Sequence, residues 1–455
     1  MLPAMGAALA ILVALPALAV RERRMCTPSL CVGGDDGAFD ASLISSARVV
    51  HRFAPTDPAR YLSVLDVGGG GAWLAARRGS FPSADGANIS AVVWTGCDAE
   101  LRTPGGGACA AAAPVELFRG DAVAHNVGFL LTGGALYAFG GLFDERDPAR
   151  PGVRAAGPVA ATREGLEALA RADVARAPVV LGGAHAGGID RRPRTGTYCE
   201  YDGRVSAAAS GGRLVVLGRA NLARNRTVDG GFGGRSVQAA AGAVAGLGDP
   251  ATLLGPFFPA DVANFAPRGA CAAPAAGDNV YFAAVNANPV DASTFLGLFP
   301  VVRNGADRDD AYVALAVSCD GVSFSAFRRL LNSTPASLGR SSDHPADGFL
   351  VDGGAIYFYV HRGVPGVFDD DHGSSAIAGS RVVRYELDRP ALAAYTAEAK
   401  ASLASCGAPP APAAPRSAYD RCWLECARDA RRSSRHRDDR AVDACFAHCL
   451  GRHCP

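Results

Sequence analysis

Glu200 and Asp202, separated by one residue, stand just ahead of an apolar run from Val205 to Ala209. Asp343 precedes His344 and Pro345, and Asp121 stands ahead of His125 and Asn126. Two carboxylates facing each other across a cleft can break a glycosidic bond. One protonates the leaving oxygen, and the other activates water or attacks the anomeric carbon. Asp202 and Asp343 are the expected pair, with Glu200 and Asp121 as further candidates. Arg219, Asn221, Arg235, Gln238 and Asn286, with His125, Asn126, His344 and His361, are the expected partners for sugar hydroxyls. Each of these acids could instead cap a turn, and strand ends are polar by default. No serine nucleophile elbow, phosphate loop or His-Glu-x-x-His motif occurs, and no cofactor or metal is expected.

What would bring these residues together is a hairpin. Val205 to Ala209 turns at Gly211-Gly212, and Leu214 to Leu217 then leads to Arg219 and Asn221. Antiparallel strands joined by a tight turn finish where they began, so Glu200, Asp202, Arg219 and Asn221 share one end. The pattern recurs with turns near positions 69, 133, 277 and 353, every 64–78 residues. In the fourth repeat the turn is placed at Gly277-Asp278, followed by Val280-Tyr281-Phe282 and Asn286. Five hairpins at this spacing leave room for two outer strands each, which is the pattern of a five-bladed β-propeller. Residues 91–94, 236–238, 312–317 and 381–387 are expected outer strands, and Ser318-Cys319-Asp320-Gly321 the turn between the two outer strands of one blade. A β-sandwich with long loops is the rival architecture. Short helices are expected over 163–175 and 391–404.

The 455 residues are 49% hydrophobic and 20% charged, with a formal net charge of +1. That balance describes a globular chain and disfavours a general partner for nucleic acid or acidic membrane. Residues 1–19 read as a secretory signal, with an apolar core from Ala7 to Leu15 and a small-x-small site at Ala17-Leu18-Ala19. No stable membrane insertion is expected, and the destination is outside the cell or in the secretory lumen. The propeller is expected over 20–396 and a helix end with a Pro/Ala-rich linker over 397–417. A Cys-rich helical hairpin is expected over 418–455.

Thirteen cysteines in such a chain point to disulfides. Local pairs are expected for Cys26 with Cys31 and for Cys97 with Cys109. Cys422-x3-Cys426 and Cys445-x3-Cys449 each put two thiols on one helix face. Two antiparallel helices would then join Cys422 to Cys449 and Cys426 to Cys445. Zinc, with His448 and His453, is the alternative there. Cys454 is expected to reach Cys406. Asn88, Asn225 and Asn332 begin glycosylation sequons.

Three segments carry a family resemblance. Gly218-Arg219-Ala220-Asn221 followed by Gly234-Arg235-Ser236-Val237-Gln238 resembles the second-blade strands of the five-bladed propellers of the arabinanase, levansucrase and invertase type. Ser318-x-Asp320-Gly321-x-x-Phe324 is similar to their recurrent turn, and Asp343-His344-Pro345 to the segment that opens one of their blades. The resemblance spans roughly 115–390. It implies an all-β, five-bladed β-propeller, here with a small disulfide-linked C-terminal α-hairpin. It also implies three acids from different blades acting as base, orienting group and acid, for which Asp121, Asp202 and Asp343 are the nearest matches. The expected partner is a glycan, either hydrolysed or, in the alternative, bound without catalysis as a glycan- or protein-binding propeller.

Overall fold

The computed structural model describes residues 39–53, 59–79, 89–120, 127–142, 152–172, 179–182, 204–221, 235–244, 258–259, 261–262, 279–303, 310–333, 335–336, 340–341, 343–364, 380–403 and 406. The signal segment, Cys26, Cys31, Asn88, Asn225 and the hairpin of 418–455 lie outside the described residues, as do Asp121, His125, Asn126, Glu200 and Asp202.

The first strand, β1 (Ile44–Arg52), belongs to the last blade. Blade 1 is β2 (Arg60–Gly68), β3 (Gly71–Arg78), β4 (Ser90–Cys97) and β5 (Val115–Arg119). Blade 2 is β6 (Val127–Thr132), β7 (Ala135–Leu142), β8 (Gly152–Ala160) and β9 (Val179–Gly182). Blade 3 is β10 (Ser206–Ser210), β11 (Arg213–Asn221), β12 (Arg235–Ala243) and β13 (Phe258–Pro259). Blade 4 holds β14 (Asp261–Val262), β15 (Asn279–Val280), β16 (Ala284–Asn288), β17 (Asp291–Arg303), β18 (Asp310–Ser318), β19 (Ser323–Phe324) and β20 (Arg328–Ser333). A two-stranded ribbon follows, β21 (Pro335–Ala336) with β22 (Arg340–Ser341). Blade 5 is β23 (His344–Pro345), β24 (Leu350–Asp352), β25 (Ala355–Arg362) and β26 (Arg381–Leu387), completed by β1 against β26. Two helices accompany the strands, α1 (Arg163–Ala170) and α2 (Arg389–Ser402).

Five hydrophobic clusters prove the ring. One lies between each successive pair of blades, and the fifth joins blade 5 back to blade 1 through Tyr359, Val382, Leu62 and Trp94. Alternation explains this, because successive side chains of a strand point to opposite faces. In β3, Trp73 and Ala75 pack toward blade 2, while Ala72, Leu74 and Ala76 pack toward blade 5. A blade is buried on both faces, so its strands are apolar almost throughout.

Four hairpins turn on Gly-Gly pairs with both φ angles positive: Gly69-Gly70, Gly133-Gly134, Gly211-Gly212 and Gly353-Gly354. Such turns match the twist of paired strands and need residues free to adopt positive φ. The hairpin of blade 4 corrects the sequence reading. Its turn lies between Asn288 and Asp291, and not at Gly277-Asp278; Val280 to Phe282 lead into the first strand. Here Asn288 accepts from the Val290 N–H (3.1 Å) and Asp291 from the Ser293 N–H (3.0 Å), so side-chain oxygens shape a turn without glycine.

Helix α1 is capped by Thr162, whose side chain accepts from the Gly165 N–H, and α2 by Asp388, which accepts from the Ala391 N–H. Leu392 and Tyr395 of α2 pack into the core between blades 4 and 5. The Asp320 carboxylate accepts from the Val322 and Ser323 N–H groups (2.8 and 2.6 Å), which forms the expected turn after β18. Cys97 is bonded to Cys109. Cys406 is bonded to Cys319 in that β18 turn, and not to Cys454. The end of α2 returns to blade 4, a tertiary contact that cysteine spacing does not encode. Among the described residues, no helix is long and apolar enough to cross a membrane.

Candidate functional site

Inner strands begin, and second strands end, at the same side of each blade. This side is called the mouth. Contacts across the axis show that the mouths of blades 1, 4 and 5 meet. Tyr61, at the start of β2, stacks on His344 of β23, with ring centroids 5.6 Å apart. Tyr281, just ahead of β16, lies 5.2 Å from the same imidazole, as does Phe282. The Tyr61 and Tyr281 hydroxyls are hydrogen-bonded at 3.1 Å although their blades are not neighbours. The Arg77 guanidinium, at the end of β3, covers the Tyr61 ring at 4.8 Å. Tyr61 holds a left-handed backbone, φ 52°, a costly state for a bulky residue.

One step deeper lies a polar layer. Arg204, directly ahead of β10, donates to Ser63 of β2 and faces Asp347 of blade 5, Nε to Oδ2, at 3.8 Å. Asp347 Oδ1 accepts from Ser206 Oγ (3.1 Å) and Asn286 Nδ2 (3.0 Å). Blades 3, 4 and 5 therefore meet at one carboxylate, and Arg204 carries the link on to Ser63 of blade 1. Tyr61 and Ser63 sit two residues apart, as do Arg204 and Ser206, so the strand alternation places both layers on the axis.

Burial dominates the electrostatics. Desolvation raises the Asp347 carboxyl to about 6, although Arg204, Asn286 and Ser206 favour its ionised form. Burial likewise lowers the basicity of Arg204. His361, fully buried and bonded to Ser380 Oγ at 2.8 Å, is lowered to about 3 by burial, then by His51 and Arg60.

The predicted site residues divide three ways. Asn286 reaches the axis, but from the first strand of its hairpin rather than beyond the second. His344 lies at the centre of the aromatic group. Asp343 is buried and bound by Arg362, whose Nε and Nη2 donate to Oδ2 (3.2 and 3.0 Å), while the Gly363 N–H donates to Oδ1. His361 pairs with His344 across β25 and β23 but exposes no surface, so it cannot touch a ligand in this conformation. Arg219, Asn221, Arg235 and Gln238 lie on the paired strands β11 and β12 toward the mouth. Asn332 lies in β20, where its backbone oxygen accepts from Arg362. Sequence reading missed Tyr61, Ser63, Arg204, Ser206, Tyr281 and Asp347. The available signal was a polar residue at every second position of an inner strand. Among the described residues, no group of three potential metal ligands is found.

No family model matches the chain, and no curated protein matches it. Solved structures do resemble it. One is an N-acetylgalactosamine deacetylase from F. plautii, 10% identical, TM-score 0.43, covering 76% of this chain and 95% of that one. A family 117 glycoside hydrolase from Zobellia galactanivorans is 14% identical, TM-score 0.37, covering 76% and 90%. The alpha-L-arabinanase of Penicillium chrysogenum is 11% identical, TM-score 0.35, covering 76% and 98%. At these values the likenesses carry no argument about activity, and the five-bladed assignment rests on the chain's own sheets.

Proposed function

We propose that this chain is a secreted glycoside hydrolase-like propeller that receives a glycan at the mouth of its axis. The observation that carries this reading is the convergence of tyrosine, histidine, arginine and carboxylate side chains from four blades at one point. Glu200 and Asp202 precede Arg204 by four and two residues in the sequence, so their segment leads into the axial layer. Asp202 would supply one carboxylate and Asp343 the other, with Glu200 and Asp121 as further acids. Asn286, His344, Arg219, Asn221, Arg235 and Gln238, with His125 and Asn126, would orient sugar hydroxyls. The disulfides Cys97–Cys109 and Cys319–Cys406 agree with an oxidising compartment.

One observation favours a second reading, a propeller that binds glycan or protein without catalysis. Asp343 is buried and its oxygens are already occupied by Arg362 and the Gly363 N–H. A hydrolysis screen of the purified protein on a panel of oligosaccharides, beside Asp202→Asn and Asp343→Asn, separates the two. Turnover lost in both variants with binding kept supports hydrolysis. Binding without turnover in the unaltered protein supports the second reading.

A further inference from the structure

We propose that the polar layer on the axis is a binding site for a halide ion, taken up together with a proton on Asp347. It is independent of what the mouth binds. Arg204 is almost fully buried, and its Nη2 donates to Ser63 Oγ. Its Nε and Nη1 meet no acceptor among the described residues. Asp347 Oδ2, also buried, meets no donor there. The two groups stand 3.8 Å apart, Nε to Oδ2, beyond hydrogen-bond length, so neither satisfies the other. Unpaired donors on a buried cation are costly, and folded proteins rarely leave them so. These N–H groups call for a ligand that accepts hydrogen bonds.

The proton follows from the same geometry. Asp347 Oδ1 already accepts from Ser206 Oγ and Asn286 Nδ2, so Oδ2 is the oxygen placed to carry a proton. Burial raises this carboxyl to about 6, which brings its protonation into mildly acidic surroundings. While the carboxyl is ionised, the pair is neutral and the carboxylate repels an anion. Once Oδ2 is protonated, the guanidinium remains as a buried positive charge. The Oδ2–H then becomes a donor beside the Arg204 Nε–H and Nη1–H groups. A halide accepts from several directions at once and restores neutrality. Water would also accept, but it leaves the charge uncompensated.

The charged and titratable groups around this carboxyl are Arg204, ahead of β10, and three residues one layer nearer the mouth. Those three are Tyr61 of β2, Arg77 of β3 over the Tyr61 ring, and His344 of β23. From β16 comes the neutral amide of Asn286. Arg204 faces Oδ2 directly. Because the layer joins blades 3, 4 and 5 to blade 1 beneath the mouth, filling it would fasten the ring in acidic, chloride-containing surroundings. Proton and halide each raise the affinity for the other, by linkage.

The test is thermal unfolding of the full chain in sodium bromide and in sodium gluconate at equal ionic strength, at about pH 5 and about pH 8. The bromide-minus-gluconate difference in melting temperature should be about 2 °C more positive at the lower pH. Asp347→Asn carries a permanent N–H donor in place of the Oδ2 proton. Its difference should therefore match that of the unaltered protein at the lower pH, and be the same at both. Arg204→Met should abolish the effect. Where a variant does not fold, crystals of the unaltered protein in bromide at the lower pH decide, with the anomalous signal expected between Arg204 and Asp347.

A pH-independent difference in the unaltered protein would overturn the proposal, as would a folded Asp347→Asn variant that shows no halide effect. So would a water beside Arg204 with bromide bound only elsewhere, which would mean a hydrated ion pair. Bromide seen in the crystal without any shift in solution would mean binding at crystal concentration only, and would refute the proposal too. Each measurement is made without sugar, so its failure leaves the proposed function standing.

Discussion

Arg204 and Asp347 face each other at 3.8 Å in the middle of the ring, both almost fully excluded from solvent. They come from blades 3 and 5, which are not neighbours. A buried ion pair of this length recovers only part of the desolvation cost of its charges. That is why the Asp347 carboxyl holds its proton up to about 6.

The sign of the resulting pH dependence follows from linkage. The folded state binds this proton more tightly than the unfolded chain, whose carboxyl titrates near 3.8. The Asp347 contribution to stability is therefore fully present below about pH 4 and is lost as pH rises through about 6. Its size is on the order of 3 kcal/mol. Chemical denaturation of Asp347→Asn between pH 4 and 7 should lack this slope. The same slope in variant and unaltered protein would refute the assignment.

His361 acts in the opposite sense. Its folded value near 3, against an ordinary 6.5, means that the neutral ring is the folded form. Its contribution is present above about pH 6.5 and lost as pH falls toward about 3, on the order of 5 kcal/mol in all. His361→Gln should flatten the acid limb of the stability profile while leaving the Asp347 slope visible. An unchanged acid limb would show that other groups govern it.

Asp343→Asn separates a structural role from a catalytic one. Removing one partner of a buried pair leaves Arg362 without its counter-charge, at a cost of about 3 kcal/mol. A clear fall in midpoint on thermal or urea unfolding is expected. An unaffected midpoint with turnover abolished would instead make Asp343 a catalytic acid held loosely.

Gly348 has φ +114°, and a Cβ placed on it would lie 1.7 Å from the Val64 oxygen. That backbone contact seals blade 5 to blade 1 beside Asp347, whose N–H donates to Leu62 O and whose oxygen accepts from the Val64 N–H. Gly348→Ala should cost more than about 4 kcal/mol and abolish soluble expression or drastically lower the melting temperature. A variant melting within a few degrees of the parent would contradict the packing of this seam.

Peptide mapping without reduction should recover Cys319 linked to Cys406. Cys319→Ser should lower stability by about 2–4 kcal/mol, since the bond closes a long loop. Recovery of Cys406 linked to Cys454 would count against the α2 placement.

Much of this architecture was legible in the chain alone. Glycine pairs with flanking apolar runs mark four hairpins, because positive φ at both turn residues matches the twist of the paired strands. The turn of 318–321 and the Cys97–Cys109 bridge are local, and local chemistry is visible in local sequence. The hairpin of blade 4 was displaced because Asn288 and Asp291 shape its turn with side-chain oxygens, leaving no glycine signature.

What the linear order could not reveal is which residues stand opposite one another. Arg204 and Asp347 are remote in sequence, and so are Tyr61 and Tyr281. Each meets its partner only because five sheets, packed face to face, close into a ring. The same closure decides that Asp343 is held by Arg362, that Cys406 finds Cys319, and that Arg60 and Arg77 share the mouth with Arg52 and Arg381. Strand periodicity tells which way a side chain points; the ring closure determines what it meets.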